Sequence, residues 1–207
     1  MPEAQSTRTH ILEATIALLK RGGESAVKVG LIANELGIAA PSLYHHFANR
    51  SELIRAAYVE WYWQCLRIDG ATPELAAVAE TQEQYEATLR ASIMWSYQAS
   101  RHEARSVRMA VLGAAQNDPL LASEINSVNR NFLNSVAQSV IYGQKKGWVR
   151  SDIDPLALAY WAHGQIIGRV VAEMDDGVVN FDDWDKISID AMLGVIRKQI
   201  SPLKRKG

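Results

Sequence analysis

The apolar positions of this chain recur every three or four residues, which is the period of an amphipathic helix and not the alternation of a strand. Tyr85, Leu89, Ile93 and Tyr97, for example, fall on one helical face. Breaks containing glycine, proline and asparagine or aspartate separate the apolar stretches. The pattern predicts an all-α fold with loops over 70–81 and 175–185 and helices over 6–21, 27–36, 41–47, 50–68, 82–101, 103–116, 119–146, 155–173 and 183–199.

Several predicted helix boundaries carry residues that cap helices. Gly22-Gly23 is expected to end the first helix, because glycine adopts the conformations that follow a last turn. Asn49, with Glu52 three positions later, has the spacing of a capping box at the start of the fourth helix. Two more helices are predicted to begin with an aspartate cap before a proline, at Asp118-Pro119 and Asp154-Pro155.

Residues 28–47 predict two short helices joined by a glycine turn. Gly37 follows the first helix, and Pro41 stands in the first turn of the second, where its missing N–H has no helical partner to lose. Leu43 and Phe47 lie four positions apart and share the apolar face of the second helix. Its other faces carry polar side chains and no acid. This arrangement is the plan of a helix-turn-helix.

The charge of the chain limits how it could bind DNA. The 207 residues carry a formal charge of −1, and residues 1–70 contain seven basic and seven acidic side chains. Bulk positive charge is therefore disfavoured as a means of binding nucleic acid. Residues 36–51 nevertheless contain Arg50 and two histidines without any acid, so an anion could be bound there through the placement of single side chains.

Composition also indicates the cellular environment. The chain has one cysteine, Cys65, so an intramolecular disulfide is impossible. No N-terminal stretch resembles a signal peptide, and none approaches the roughly 20 apolar residues of a membrane span. We therefore expect a soluble cytoplasmic protein with no membrane association.

The helix-turn-helix residues carry a family resemblance. The run Pro41-Ser42-Leu43-Tyr44-His45-His46-Phe47, with the pair Ile32-Ala33 and Gly37, resembles the tetracycline-repressor (TetR-type) family of bacterial transcription regulators. The likeness is dense over residues 8–62, and a second block at 147–155 resembles the family's junction into its last two helices. The resemblance implies a DNA-binding domain at 5–65 and an effector-binding and dimerisation domain at 66–207.

The resemblance also implies which residues contact operator DNA. The N-terminus of the helix that precedes the turn, near Lys28 and Val29, would meet a phosphate. Arg50 would replace a usual lysine that binds another phosphate. Gly30 and Ala40 have no polar side chain where the family often has one, so we expect more reliance on DNA shape and backbone contacts. The expected contacts are Lys28, Val29, Gly30, Ala40, Pro41, Ser42, Tyr44, His45, His46 and Arg50.

The adjacent histidines His45 and His46 also invite a metal-site interpretation. Neighbouring residues on a helix project about 100° apart, so the two rings cannot chelate one ion. No cysteine or acid lies at ligand spacing beside them. DNA contact is therefore the preferred interpretation, and no metal site is predicted.

An aromatic stripe on the fourth helix has two interpretations, which the sequence leaves open. It could be ordinary core packing, or it could form one wall of a pocket for an apolar or aromatic effector. Arg105 and Arg108 could likewise belong to a solvated face or anchor an effector carboxylate. The candidate ligand-binding residues are Tyr58, Trp61, Tyr62, Cys65, Trp95, Tyr97 and Arg108.

A dimer interface is predicted on the last two helices. Ala157, Gly164 and Gly168 recur at helical spacing and permit a close helix approach. His163, between them, could be a core histidine or part of the same interface. The candidate interface residues are Ala157, Trp161, Gly164, Gly168, Met192 and Ile196.

The sequence thus predicts a homodimeric, effector-responsive transcriptional regulator, most simply a repressor, with operator DNA and an unidentified small molecule as partners. No nucleophile–base pair, phosphate loop or metal spacing supports an enzyme, and no cofactor is expected. The alternative is a sensor or interaction module of the same fold that binds DNA weakly. An activator would have the same sequence features as a repressor.

Overall fold

The computed structural model describes residues 2–67, 76–175 and 177–197, with side chains from residue 7 onward. These residues form helices and no strand, so the predicted all-α fold is confirmed. A short 3₁₀ turn, Ala99–Arg101, lies between the fifth and sixth helices. The helices are α1 (Pro2–Ala26), α2 (Val29–Leu36), α3 (Ala40–Leu43), α4 (Arg50–Arg67), α5 (Gln82–Tyr97), α6 (His102–Ala115), α7 (Pro119–Lys145), α8 (Pro155–Glu173) and α9 (Phe181–Ile196).

The caps predicted from the sequence are present. The Asn49 side chain accepts a hydrogen bond from the amide of Glu52 at 2.9 Å. Glu52 accepts a hydrogen bond from the amide of Ala48 at 2.7 Å, one residue before the Asn49 amide that would donate in a strict capping box. Asp118 accepts from the amides of Leu120 and Leu121, and Asp154 accepts from the amide of Ala157.

The first helix is interrupted where the glycine pair predicted its end. Gly22 and Gly23 both leave the helical region, with φ values of −164° and 62°. The turn that follows continues the hydrogen-bonded run to Ala26 before α2 begins at Val29.

Other predicted boundaries were wrong. The helix expected over 41–47 is shorter: α3 ends at Leu43, because His45 and His46 donate to carbonyls three residues back in tighter turns. The helix expected to reach residue 101 ends at Tyr97, since Gln98 has an extended ψ of 149°. The predicted acidic loop contains the start of α9, which Asn180 caps. Residues 68–75 and 198–199 of the predicted elements lie outside the described residues.

The chain packs into two compact units, each with its own core. The first contains residues up to Gln64 together with Val111–Ile125, and the second contains Cys65–Ala110 and the chain from Asn126 onward. The sequence division at residue 65 lies next to the first boundary, but it placed Val111–Ile125 with the C-terminal domain.

The core of the first unit is formed by side chains from the segment that runs from α1 through α4. Its apolar side chains pack around Leu43 at the end of α3 and Phe47 after the following turns, and Arg8 covers the Phe47 ring at 5.1 Å. The buried members are Ile11, Leu12, Ala14, Ile16, Leu18, Leu19, Val27, Ile32, Leu43, Phe47, Leu53, Ile54 and Ala57. This packing fixes α2 and α3 against the rest of the unit.

A buried ion cluster at the C-terminal end of α8 connects three helices of the second unit, α6, α8 and α9. The Glu173 carboxylate pairs with Arg105, with Arg169 at 2.5 Å and with His102 at 3.0 Å. Arg169 also pairs with Asp185 of α9 at 2.9 Å. Burial alone would raise the pKa of Glu173, but hydrogen bonds from Arg105 and His102 and the charges of the two arginines hold that pKa below its ordinary value.

Candidate DNA interface and ligand cavity

The turn between α2 and α3 has the geometry that the glycine predicted. Gly37 adopts φ 65° and ψ 27°, a left-handed conformation that strains any residue with a side chain. The amides of Gly37 and Ile38 close the end of α2 on the carbonyls of Asn34 and Ala33. Ile38 then packs against the core, so the direction of the chain into α3 is fixed at both points.

The second helix of the motif has one buried and one open face. Leu43 and Phe47 are buried, while Tyr44 keeps 47% of its surface exposed. His45 and Pro41 are exposed, and Ser42, His46 and Ala40 are half-buried. The polar side chains that the sequence assigned to DNA therefore lie on the open side of α3 or at its edge. Lys28 and Gly30 at the start of α2 are also exposed.

Two predicted contacts have structural roles that the sequence did not suggest. Val29 is half-buried against the core of the first unit. The Arg50 guanidinium donates from Nε to the carbonyl of Val27 at 2.9 Å and from Nη2 to the carbonyl of Glu24. Arg50 thus ties the start of α4 to the segment between α1 and α2, and two of its three nitrogens are already engaged.

A polar cleft lies within the first unit, beside α4. Arg55 pairs with Asp118 at 3.3 Å, so the cap of α7 is also an ion-pair partner of α4. Tyr58 borders the same cleft, where burial and then the nearby Glu24 carboxylate raise the pKa of its hydroxyl. The side chains of this cleft are largely polar, which does not suit an apolar effector.

The second unit contains an apolar cavity of about 130 Å³. A single water needs roughly 10–15 Å³ on such a measure, so the space holds an organic molecule and not one solvent molecule. Apolar and aromatic side chains form most of its wall, with three serines, one arginine and one histidine among them. The lining residues are Tyr85, Leu89, Ser92, Ile93, Ser96, Arg108, Phe132, Val136, Ser139, Val140, Leu158, Ala159, Trp161, Ala162, His163, Ile166, Met192, Leu193 and Ile196.

Of the seven predicted ligand residues, Arg108 alone is among the residues that line this cavity. Tyr58 and Trp61 pack against the core of the first unit, and Tyr62 and Cys65 are buried. For the Tyr58 and Trp61 part of the stripe, the core-packing interpretation is therefore the one that the structure supports.

The two aromatic candidates on α5 have other partners. Trp95 is 41% exposed, with Arg101 over its ring. Tyr97 is buried against Ser188 and Arg169 and is not among the residues that line the cavity. An aromatic side chain on a helix next to a pocket need not face it, and only the fold decides which side it occupies.

Sequence reasoning missed most of the cavity wall. Tyr85, Leu89 and Ile93 were recognised as one apolar face of α5, but nothing in that pattern separates a pocket wall from a filled core. Tyr85 donates its hydroxyl to the carbonyl of Ser139 at 3.1 Å, and burial raises the pKa of Tyr85 to about 12. Its hydroxyl is therefore neutral and held in place.

His163 is the most informative residue in the wall. Its ring is buried with its centroid 6.0 Å from that of Phe132, and its Nε2 has no hydrogen-bond partner among the described residues. Burial and the positive charge of Arg108 lower the pKa of His163 from 6.5 to about 4. The imidazole is therefore neutral near pH 7. The sequence allowed a core or interface position, and the structure places it at the cavity.

The candidate dimer residues divide into two groups. Ala157, Trp161 and Gly164 are exposed and Gly168 is half-exposed, all on α8. Met192 and Ile196, at 5% exposure each, line the cavity, as does Trp161, and the interface role of these residues stays a prediction. Helical period gives the spacing of a face but not its direction, so the sequence did not show that they border a cavity. The exposed apolar side chains near this surface are Leu156, Tyr160, Val171, Met174 and Ile187.

Two kinds of feature are missing from the described residues. No group of three or more histidine, cysteine, aspartate or glutamate side chains there is placed to hold a metal ion. None of the helices in the same part of the chain is long and apolar enough to span a membrane.

Comparison with known proteins gives consistent relatives. Residues 11–57 match the model of the bacterial regulatory proteins of the tetR family. The HTH-type transcriptional regulator UidR of Escherichia coli K12 is 26% identical over 156 residues, which are 73% of this chain and 74% of UidR.

Solved structures extend the likeness to almost the whole chain. A protein from Mesorhizobium loti assigned to the TetR family has a TM-score of 0.72 at 18% identity, covering 94% of this chain and 98% of its own. A protein from Saccharomonospora viridis described as a transcriptional regulator, solved in complex with choline, has a TM-score of 0.70 at 20% identity, covering 94% and 100%. At these identities the structures establish a shared fold. The relatives are regulators, in agreement with the expectation that this chain is not an enzyme.

Proposed function

Because this chain belongs to the tetR family of bacterial regulatory proteins, we propose that it represses transcription from a near-palindromic operator and is released by a small, largely apolar effector. The observation that carries the DNA-binding part is the open face of α3. Leu43 at the end of α3 and Phe47 after the turns that follow are buried in the core, and Tyr44 and His45, in those turns, are exposed to solvent. A rigid helix with a buried side and an open polar side can enter a major groove.

Operator recognition would use few side chains. The first 70 residues are electrically balanced, and two nitrogens of Arg50 already bind backbone carbonyls. Tyr44, His45, His46, Ser42 and Lys28 therefore remain as the main groups for phosphates and base edges, with Pro41, Ala40 and Gly30 supplying only close approach. We infer that DNA shape contributes much of the selectivity.

A second copy of the chain would bind the other half-site of the operator. Two motifs held in a dimer would meet half-sites about 34–36 Å apart. The exposed apolar surface of α8, which includes Tyr160, Trp161 and Val171, supports this assembly, and Gly164 leaves room for close helix approach. Analytical ultracentrifugation tests it: a monomer at micromolar concentration would contradict the dimer.

The cavity supplies the site for an effector. Its apolar wall suits a small organic ligand, and the S. viridis relative with choline shares the fold. Arg108 lies on α6, which continues along the chain to Ala115 and, after the turn, to Asp118, the ion-pair partner of Arg55 on α4. A ligand that prefers one placement of α6 would shift the population of motif geometries through this chain of contacts.

The test of DNA binding uses DNA from upstream of the gene and a scrambled duplex of equal length. Selective binding should weaken with salt at a slope near −0.9 in log–log form for each neutralised phosphate. Tyr44→Phe should reduce operator affinity about tenfold if the hydroxyl binds a phosphate, since hydrogen bonds to charged groups contribute roughly 1.5–3 kcal/mol. His46→Ala should also weaken binding.

Equal affinity for both duplexes at low salt would contradict the repressor proposal. The second candidate, a sensor of the same fold that binds DNA weakly, would then be preferred. Gly30, Ala40 and the engaged Arg50 are the observations that favour it. A circular dichroism spectrum unchanged in Tyr44→Phe and His46→Ala separates loss of contact from loss of fold.

A further inference from the structure

The cavity of the second unit combines an apolar body with two nitrogen-bearing side chains. Arg108 and His163 both line it, and they are close enough for the arginine charge to act on the imidazole. Arg108 is 1% exposed, and its Nε donates to the carbonyl of Ala104 at 3.3 Å, which holds the guanidinium in place. The polar groups are therefore part of the folded wall and not surface side chains that happen to reach inward.

Charge gives the cavity a preference. Among the described residues that line it, none is acidic and Arg108 carries the only full charge, because the buried His163 is neutral. Water screens such a charge poorly inside a protein, so an anionic group in the cavity is stabilised and a cationic group is repelled. A guanidinium also presents its donors in a plane that matches a carboxylate better than a point charge does.

His163 provides a second, independent observation. Its Nε2 is buried at the cavity and lacks a hydrogen-bond partner among the described residues. Leaving a buried polar nitrogen unpaired is unfavourable, and native structures rarely do so without a ligand or solvent to complete the site. In the tautomer that carries its proton on Nε2, the ring can donate to a ligand oxygen.

The apolar body sets the rest of the ligand. Phe132, Val136, Ile166 and Leu193 come from three helices and offer no polar group to a bound molecule. We propose that the ligand of this cavity is an amphipathic carboxylic acid whose carboxylate binds Arg108 and His163 Nε2 and whose hydrocarbon or aromatic part fills the apolar body. This inference rests on the proposed function, since it names the chemical class of its effector.

The test compares ligands that differ only in the head group. Octanoate, octanamide and octyltrimethylammonium form one matched set, and 3-phenylpropanoate and 3-phenylpropanamide form a second. Binding to the full chain is measured by calorimetry and by the fluorescence of Trp161, which lies in the wall. At least one acid should bind about tenfold or more tightly than its amide, and the ammonium compound should bind most weakly.

Two variants assign the preference to the proposed residues. Arg108→Met should bring the affinity of the acid down to that of the amide, while Arg130→Met, an exposed change of equal charge on α7, should leave the ratio unchanged. His163→Phe keeps a ring in place and should weaken the acid more than the amide. If Arg108→Met does not fold, the head-group comparison on the unchanged protein and the His163 variant still decide.

Several results would overturn the inference. The first is that the amides bind as tightly as the acids. The second is that folded Arg108→Met keeps the same ratio of acid affinity to amide affinity. The third is that neither the acids from butanoate to dodecanoate nor 3-phenylpropanoate bind at millimolar concentration. Operator release separates the two proposals. Release by the amides and not by the acids overturns the ligand class alone, whereas acids that bind without releasing the operator support the ligand class and contradict the repressor mechanism.

Discussion

Gly143 on α7 lies where a side chain has almost no room, and replacing it by alanine tests the packing around the cavity. A Cβ built there would lie 2.6 Å from Cγ2 of Val149 and 2.9 Å from both Cζ and the hydroxyl oxygen of Tyr85. Ordinary contacts between carbon atoms are about 3.5–4.0 Å, so the added methyl is close to 1 Å too near three atoms. Tyr85 is also part of the cavity wall.

The expected loss of stability can be worked from two opposing effects. Alanine gains up to about 1 kcal/mol over glycine inside a helix, because it loses less backbone freedom on folding. Extra volume in a packed core destabilises by about 1–3 kcal/mol. Val149 and Tyr85 are both buried and the Tyr85 hydroxyl is bonded to Ser139, so neither yields easily. The net free energy of unfolding should therefore fall by about 1–2 kcal/mol.

Thermal unfolding at fixed protein concentration measures this. A loss of 1–2 kcal/mol corresponds to a decrease in Tm of about 2–8 °C in a protein of this size. Gly113→Ala is the matched control, because Gly113 is an exposed helical glycine with no atom within 4 Å of the added Cβ, and it should stabilise slightly. Gly143→Ala should also weaken ligand binding, since Tyr85 can relieve the clash only by moving its ring.

A double variant checks the cause. Removing the Val149 side chain to alanine opens space beside the new methyl, so Gly143→Ala with Val149→Ala should be less destabilised than the sum of the single changes. If Gly143→Ala is as stable as Gly113→Ala, Val149 and Tyr85 can move away from the added methyl at little cost, and the predicted clash is refuted.

The remaining predictions concern the ion cluster and a helix cap. Glu173→Gln should destabilise by about 3–5 kcal/mol near pH 7, because it leaves the buried Arg105 without a carboxylate partner and Arg169 with Asp185 alone. Since the pKa of Glu173 is lowered in the folded chain, the loss of stability in the variant should persist above about pH 4.5 and shrink in acid as the wild-type carboxyl protonates. Denaturant unfolding measures this loss, and an equal loss at pH 3 would contradict the prediction. Thr81→Ala, which removes the α5 cap, should destabilise by about 0.5–2 kcal/mol, and Thr88→Ala, inside the same helix, should be near neutral by the same method.

Local signals in the sequence predicted the local parts of the fold. Gly37 specifies a left-handed turn and Asp118-Pro119 specifies a helix start, because both depend on backbone conformation within a few residues. Asn180 was missed as a cap because the acids around it resemble a loop until the helix they begin is known. Leu43 and Phe47 showed which side of α3 is inward, since they share one face and the opposite face is polar.

The candidate site was predicted less well, because its members meet only in the folded chain. The Tyr58 and Trp61 part of the α4 stripe was recognisable as buried, but periodicity does not say which of two cores it enters. Arg50 was assigned to phosphate because its partners, the carbonyls of Val27 and Glu24, are backbone groups that no residue type reveals. His163 gave no signal until its unpaired nitrogen was seen at the cavity.

Under the proposed function, the cavity links ligand binding to the stability of the fold, because a ligand bound there favours the folded chain. A ligand at a hundred times its Kd stabilises the folded state by about 2.7 kcal/mol.

Substitutions that enlarge Ala159 or Ala162 would fill part of the cavity, so the folded protein should become more stable and its response to the effector weaker. New effector specificities are expected to arise by exchanging large and small side chains around the wall so that the total space is kept.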